Sequence, residues 1–189
     1  MSNLPLVEAR SAREVCAHFY LPLEVLQQTR GGISPRQFVD ALMEKKQYLV
    51  GIDFVAHAIP AREAIWWGCL CLQHACGERL APPEKAACKA AVLWVLQPSE
   101  ENRVMAQAEA DAVGVTSPAG ALAGAAAQTG GSVAPPDRFA PAKLVAMSVQ
   151  VAATKGDPAK MAQNHRLFLG LGIQIAEGLY LRTLTFQEQ

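Results

Sequence analysis

Electrical bias is the first thing missing from this chain. Lysine plus arginine equals aspartate plus glutamate at 17 each, so no long-range field draws the protein towards nucleic acid or an acidic membrane surface. Charged residues of all kinds are scarce, 18% against 51% hydrophobic, a balance that excludes general disorder and describes a well-filled, alanine-rich interior. Also missing is an apolar window of about 18 residues, the length a spanning helix needs. The nearest run, Leu167–Leu181, is shorter and carries Glu177. The first twenty residues lack a basic segment followed by an apolar run and a cleavage site, so a cytoplasmic protein without membrane insertion is expected. Five cysteines are an odd number with no framework spacing, which predicts free thiols. Strand-like alternation of any length is absent as well.

Helix signals fill the space these absences leave. Ser11 and Glu14 have capping-box spacing, and Ser34-Pro35, Ser117-Pro118 and Asp157-Pro158 each pair an N-cap residue with a proline at the first helical position. Pro82-Pro83-Glu84 and Pro98-Ser99-Glu100-Glu101 open two more helices, with acidic side chains where the helix dipole favours them. The helix after Ser34-Pro35 is expected to carry Phe38, Ala41, Leu42, Tyr48 and Leu49 at helical spacing, with a break at Lys45-Lys46 into a second helix over 47–59 as the alternative. In the helix after Pro98, Met105, Ala108, Ala112 and Val113 form a thin apolar stripe, and in the last helix Met161, His165, Phe168, Gly172, Ile175 and Leu179 form a long one. Gly120 and Gly124, four apart in an alanine-rich run, suit close helix packing. The expected fold is all-α, a compact irregular bundle of seven to nine helices, with a helical-repeat-like array as the alternative. A single domain over 1–189 is expected, with a Gly/Pro-rich loop at 129–141 and a short polar tail.

The run Ala61–Cys76, AREAIWWGCLCLQHAC, holds two of the three tryptophans and three of the five cysteines. At about 100° per residue, Ile65, Cys69, Leu72 and Cys76 share one stripe, with Trp66 and Leu70 on one side and Trp67, Cys71 and His74 on the other. A helix apolar nearly all round needs neighbours on every side, so it is expected at the centre of the bundle. Cys69, Cys71, His74 and Cys76 are zinc-ligand types, but on one helix they point in opposed directions and do not converge on a tetrahedral ion. The pairs Cys16/His18, Cys71/His74 and Cys76/His57 sit in no catalytic signature and on apolar faces, and His165 lies on a buried stripe, so packing is the reading for all of them. Adjacent Trp66 and Trp67 point about 100° apart, which makes one of them the candidate for a partner-binding surface.

The run PAREAIWWGCLCLQHAC, the Pro-Pro-Glu helix, the PSEEN start and the GGSVAPP segment together resemble an uncharacterised Ala-rich, all-helical family of proteobacterial proteins. The resemblance covers about residues 35–180. That family is associated with type VI secretion gene neighbourhoods, which implies an accessory role such as adaptor or chaperone for a secreted effector and no catalytic residues. The expected function is therefore a non-enzymatic module that binds another protein, an effector or a secretion component, with no cofactor, no metal and no nucleic acid. Two alternatives stand beside it: an immunity-type protein that binds and inhibits one toxin, and an enzyme using Cys71, His74 or His165.

Overall fold

The computed structural model describes residues 4–130, 137–155 and 157–179. The glycine-proline run at 131–136, the closure of a helix at Gly156 and the polar tail from Thr183 lie outside the described residues. Within them the chain is all-α: α1 Ala12–Cys16, α2 Leu23–Gln27, α3 Pro35–Glu44, α4 Tyr48–Ala58, α5 Ala61–Cys76, α6 Pro82–Leu96, α7 Glu100–Val113, α8 Pro118–Ala127, α9 Ala140–Ala153 and α10 Met161–Ala176. Short 3-10 turns precede α6 at Gly77–Arg79 and α10 at Pro158–Lys160. The two brief N-terminal helices, five residues each, bring the number above the expected seven to nine; the other eight have ten residues or more.

Most start signals act as their chemistry requires. Ser34 accepts from the amide of Gln37 while the Gln37 side chain accepts from the amide of Ser34, at 3.2 and 2.9 Å, so two amides without helical partners are satisfied reciprocally. Ser99 caps the amide of Asn102. Ser117 differs. Its hydroxyl makes no cap and instead donates to Glu84 at 3.1 Å, which ties the start of α8 to the first turn of α6. Asp157 opens a 3-10 turn, so α10 begins three residues later than the Asp-Pro signal predicts, and Met161 and Leu179 at the ends of the expected stripe are exposed.

Helix α5 is central. It packs against α4, α6, α8, α9 and α10, as a helix with apolar residues around most of its circumference must. Eight of its sixteen residues are buried, among them Ile65, Trp67, Cys69, Cys71 and Leu72. Helix α8 is buried along its whole length between α5, α6, α7 and α9, possible because its side chains are almost all alanine or absent. The hydrophobic core is one cluster, reaching from Leu4 to Ala176.

The register of α7 departs from expectation. Its buried residues are Ala106 and Ala110, whereas Met105, Ala108 and Ala112 of the expected stripe face outwards with Val104. Both faces of this helix are weakly apolar, so periodicity alone cannot choose between them. Proximity to α8 decides: the thinner alanine face lets the two backbones approach closely, and the face with the larger aliphatic side chains is left in water.

Candidate functional site

The tryptophan pair divides as its 100° offset requires. Trp67 is fully buried, and its indole N–H donates to the carbonyl oxygen of Phe168 on α10 at 2.8 Å. In this fold the ring is the pin between α5 and α10, with no surface of its own to offer a partner. Trp66 is half-buried at the edge of the same core, and any contact with a partner from this pair falls to it.

The cysteines and histidines of α5 do not converge. Cys69 reaches across to the thiol of Cys88 on α6, Cys71 is sealed on the opposite face, and His74 is exposed, edge-on to Phe168. Hydrogen bonding to Cys88 and burial push the Cys69 thiol well above its usual range, and burial alone does the same for Cys71. Burial raises the Cys16 thiol to about 12. Thiols held protonated and away from solvent are poor nucleophiles. Among the described residues no group of three or more histidines, cysteines and carboxylates has a metal-binding arrangement. In a native labelling experiment with a disulfide reagent, Cys76, the one half-buried cysteine, is expected to react first; Cys69, Cys71 and Cys88 should stay unmodified until denaturant is added. Rapid modification of any of those three in the native protein contradicts this assignment. His165 is buried with Nε2 at 3.3 Å from the carbonyl oxygen of Gln150, a satisfied histidine at the core edge.

Sequence reasoning did not bring His18 and His57 together, and the fold does. His18 follows α1 and stacks on Phe139 with ring centroids 4.1 Å apart. His57, near the end of α4, stacks on Phe19 at 4.8 Å and lies tilted at 6.1 Å from Phe139. Arg138 places its guanidinium 4.5 Å from the Phe139 ring centre, a cation–π arrangement. Nδ1 of His57 lies 2.8 Å from the carbonyl oxygen of Asp53, so the tautomer with the proton on Nδ1 satisfies that contact and leaves Nε2 as a bare acceptor. Nε2 of His57 and Nδ1 of His18 are both closed to solvent and have no hydrogen-bond partner among the described residues. Burial lowers the affinity of both imidazoles for protons; Arg138 adds to the effect at His18, and the neighbouring His18 and Lys143 add to it at His57.

Beside this cluster lies a cleft of about 580 Å³ lined by His18, Phe19, Tyr20, Asp53, His57, Lys143 and Gln150, among others. Burial raises the carboxyl of Asp53, an effect opposed by a hydrogen bond from Gln150. Lys143 is held at 2.6 Å by Asp137. The free nitrogens of both imidazoles are sealed from this cleft, and Asp53 is the carboxyl that lines it.

The second surface feature is the outer face of α7. Val104 and Met105 are 53% and 40% exposed, and Val115 just beyond the helix 45%. On the helical wheel Val104, Met105, Ala108 and Ala112 span about 100°. Glu100, Glu101 and Asp111 are exposed on or beside that arc, and Arg103, the one cation on the helix, is occupied by Glu100 and by the carbonyl oxygen of Ala127. Leu96, 65% exposed, stands at the α6–α7 corner. The result is an aliphatic stripe with an acidic border, backed by a helix whose inner face is firmly packed. No helix among the described residues is long and apolar enough to cross a membrane.

No curated protein and no solved structure matches the chain. The model of a family of unknown function, DUF6931, matches residues 38–176, from within α3 to the end of α10, and the chain belongs to that family.

Proposed function

We propose that this protein is a non-enzymatic interaction module that receives an amphipathic helix of a partner protein on the outer face of α7. The observation that carries the reading is the aliphatic stripe of Val104, Met105, Ala108 and Ala112, exposed on a helix whose other side is fixed to α8. Two alanines in the stripe allow close backbone approach, and the flanking residues supply aliphatic contact area. The acidic border of Glu100, Glu101 and Asp111 favours a helix with lysine or arginine beside its apolar face. The order of segments along the chain, similar to that of a family found in type VI secretion neighbourhoods, supports a secreted effector or a secretion component as the partner, with this chain as its adaptor or chaperone.

Affinity purification from the native host tests the reading when wild type is compared with a Val104→Lys/Ala108→Lys variant. Both positions are in water, so the variant should melt within a few degrees of wild type. Its recovery of the partner should fall at least about tenfold, because the substitution removes apolar area and sets like charge against a basic helix. Equal recovery by both proteins removes α7 as the docking face. Stoichiometric inhibition of a co-encoded toxin by the purified protein replaces the adaptor reading with the immunity one.

A further inference from the structure

The N-terminal residues lie outside the matched family region, which begins at residue 38, and they are laid over the bundle as a strap. Leu4, Ala12, Val15 and Cys16 are buried, and α1 packs on α3 and α4. Backbone ties between the strap and the rest of the fold are found near its start and at the first residue of α1 among the described residues. The amide of Leu6 donates to the carbonyl oxygen of Ala176 at 3.2 Å, and that of Ala12 to the carbonyl oxygen of Ile33 at 3.0 Å. At its far end the strap is held by rings, His18 on Phe139 and Phe19 on His57. These contacts join the strap to α4 and to the start of α9. Two of the four rings are titratable, and each of the two hides an unpartnered nitrogen.

We propose that His18 and His57 are an acid-sensitive latch, whose protonation releases the strap from α4 and α9 while the helical bundle behind it stays folded.

Added protons would sit where the latched fold gives them no partner. A proton on His57 goes to Nε2, since Nδ1 already donates to the carbonyl oxygen of Asp53, and Nε2 is closed to solvent with no acceptor among the described residues. His18 likewise gains a buried N–H or keeps one without a partner. The charged groups around them do not compensate. On the segment before α9, Arg138 is cationic; on α9, Lys143 is cationic; Asp137 is the nearby counter-charge, but it accepts from Lys143 at 2.6 Å and from the amide of Phe139 at 2.9 Å. On α4, Asp53 presents its carbonyl oxygen to His57, and its carboxyl is hydrogen-bonded to Gln150. From the strap, Glu8 lines the adjoining cleft with both histidines. Two imidazolium charges would also repel each other across Phe139. When the strap lifts, both rings gain water.

The sign follows from linkage. Both histidines bind protons less readily latched than open, so the open form takes up protons as pH falls. The latch is at full strength above the ordinary histidine value of about 6.5. It weakens as pH drops through that value, by at most about tenfold in the opening equilibrium per pH unit for each proton taken up.

Amide hydrogen exchange of the full chain, corrected for the intrinsic pH dependence of exchange, tests this at pH 7.5 and 5.0. Protection over residues 12–20 should fall by about tenfold to a hundredfold at pH 5.0, with α5 and α8 holding theirs. A His18→Phe/His57→Phe variant keeps the ring stack without its protons and should lose that pH dependence. If the double variant does not fold, His18→Phe alone should reduce the fall measurably. Protection at 12–20 that ignores pH overturns the latch, as does a fall shared equally by α5 and α8, or a pH response that survives in the folded phenylalanine variants.

Discussion

Trp67→Ala should destabilise the protein by about 3–5 kcal/mol, the range for deleting a large aromatic side chain from a packed core. Trp67 has no exposed surface, its N–H is bonded to the carbonyl oxygen of Phe168, and it stands where α5 meets α10. A sharper form of the expectation concerns its neighbour Gly172. A methyl group built there would lie 2.8 Å from Cε2 and Cζ2 of Trp67 and 3.0 Å from Val55, closer than carbon atoms pack, so Gly172→Ala alone should cost about 1–3 kcal/mol. In a Trp67→Phe background the outer ring is gone and the added methyl group has space. The second substitution should then cost less than the first, with a coupling of at least about 0.5 kcal/mol. Denaturant midpoints of the four proteins measure this cycle. Additive costs would mean that Gly172 is not there to admit the indole.

The central place of α5 and the all-α fold were legible because they rest on local signals. Proline and serine set helix starts through the chemistry of unpaired amides, and a helix with Ile65, Trp67, Cys69, Cys71 and Leu72 distributed around it has no stable position except among other helices. Free thiols as packing followed from the opposed directions of Cys69 and Cys71 on one helix. What could not be read locally depended on distances along the chain. His18, His57 and Phe139 come from three separate segments, and nothing near any one of them announces the other two; a lone histidine after a short helix looks the same whether it ends in solvent or on a distant ring. The facing of α7 was ambiguous for a different reason. Alanines at 106 and 110 and alanines at 108 and 112 carry nearly equal apolar weight, and the choice was made by α8, whose glycines admit a neighbouring backbone. The excess aliphatic surface that this choice turns outwards is the material of the proposed docking face, so a failure of sequence periodicity and a candidate function have the same origin.

That seam between α7 and α8 carries the second large effect. Alanine is normally favoured over glycine inside a helix by about 1 kcal/mol, and Gly170 on α10 should obey the rule, since nothing lies within 4 Å of a methyl group there. Gly170→Ala is expected to raise the melting temperature by about 2–4 °C. Gly120→Ala should do the opposite. Its methyl group would fall on the backbone carbonyl of Gly114, with a methyl of Val113 3.4 Å away, and a carbonyl at the end of α7 cannot rotate aside as a flexible side chain can. Helix α8 is buried throughout, with α5, α6 and α9 also packed against it, so it has little freedom to retreat. The expected cost is about 3 kcal/mol, the upper end for overpacking, seen as a fall of about 6–12 °C in melting temperature for a chain of this size. The sign is the decisive quantity. If Gly120→Ala stabilises the protein as Gly170→Ala does, then α7 and α8 are not in backbone contact, and the reason given for the outward turn of Val104, Met105, Ala108 and Ala112 fails with it.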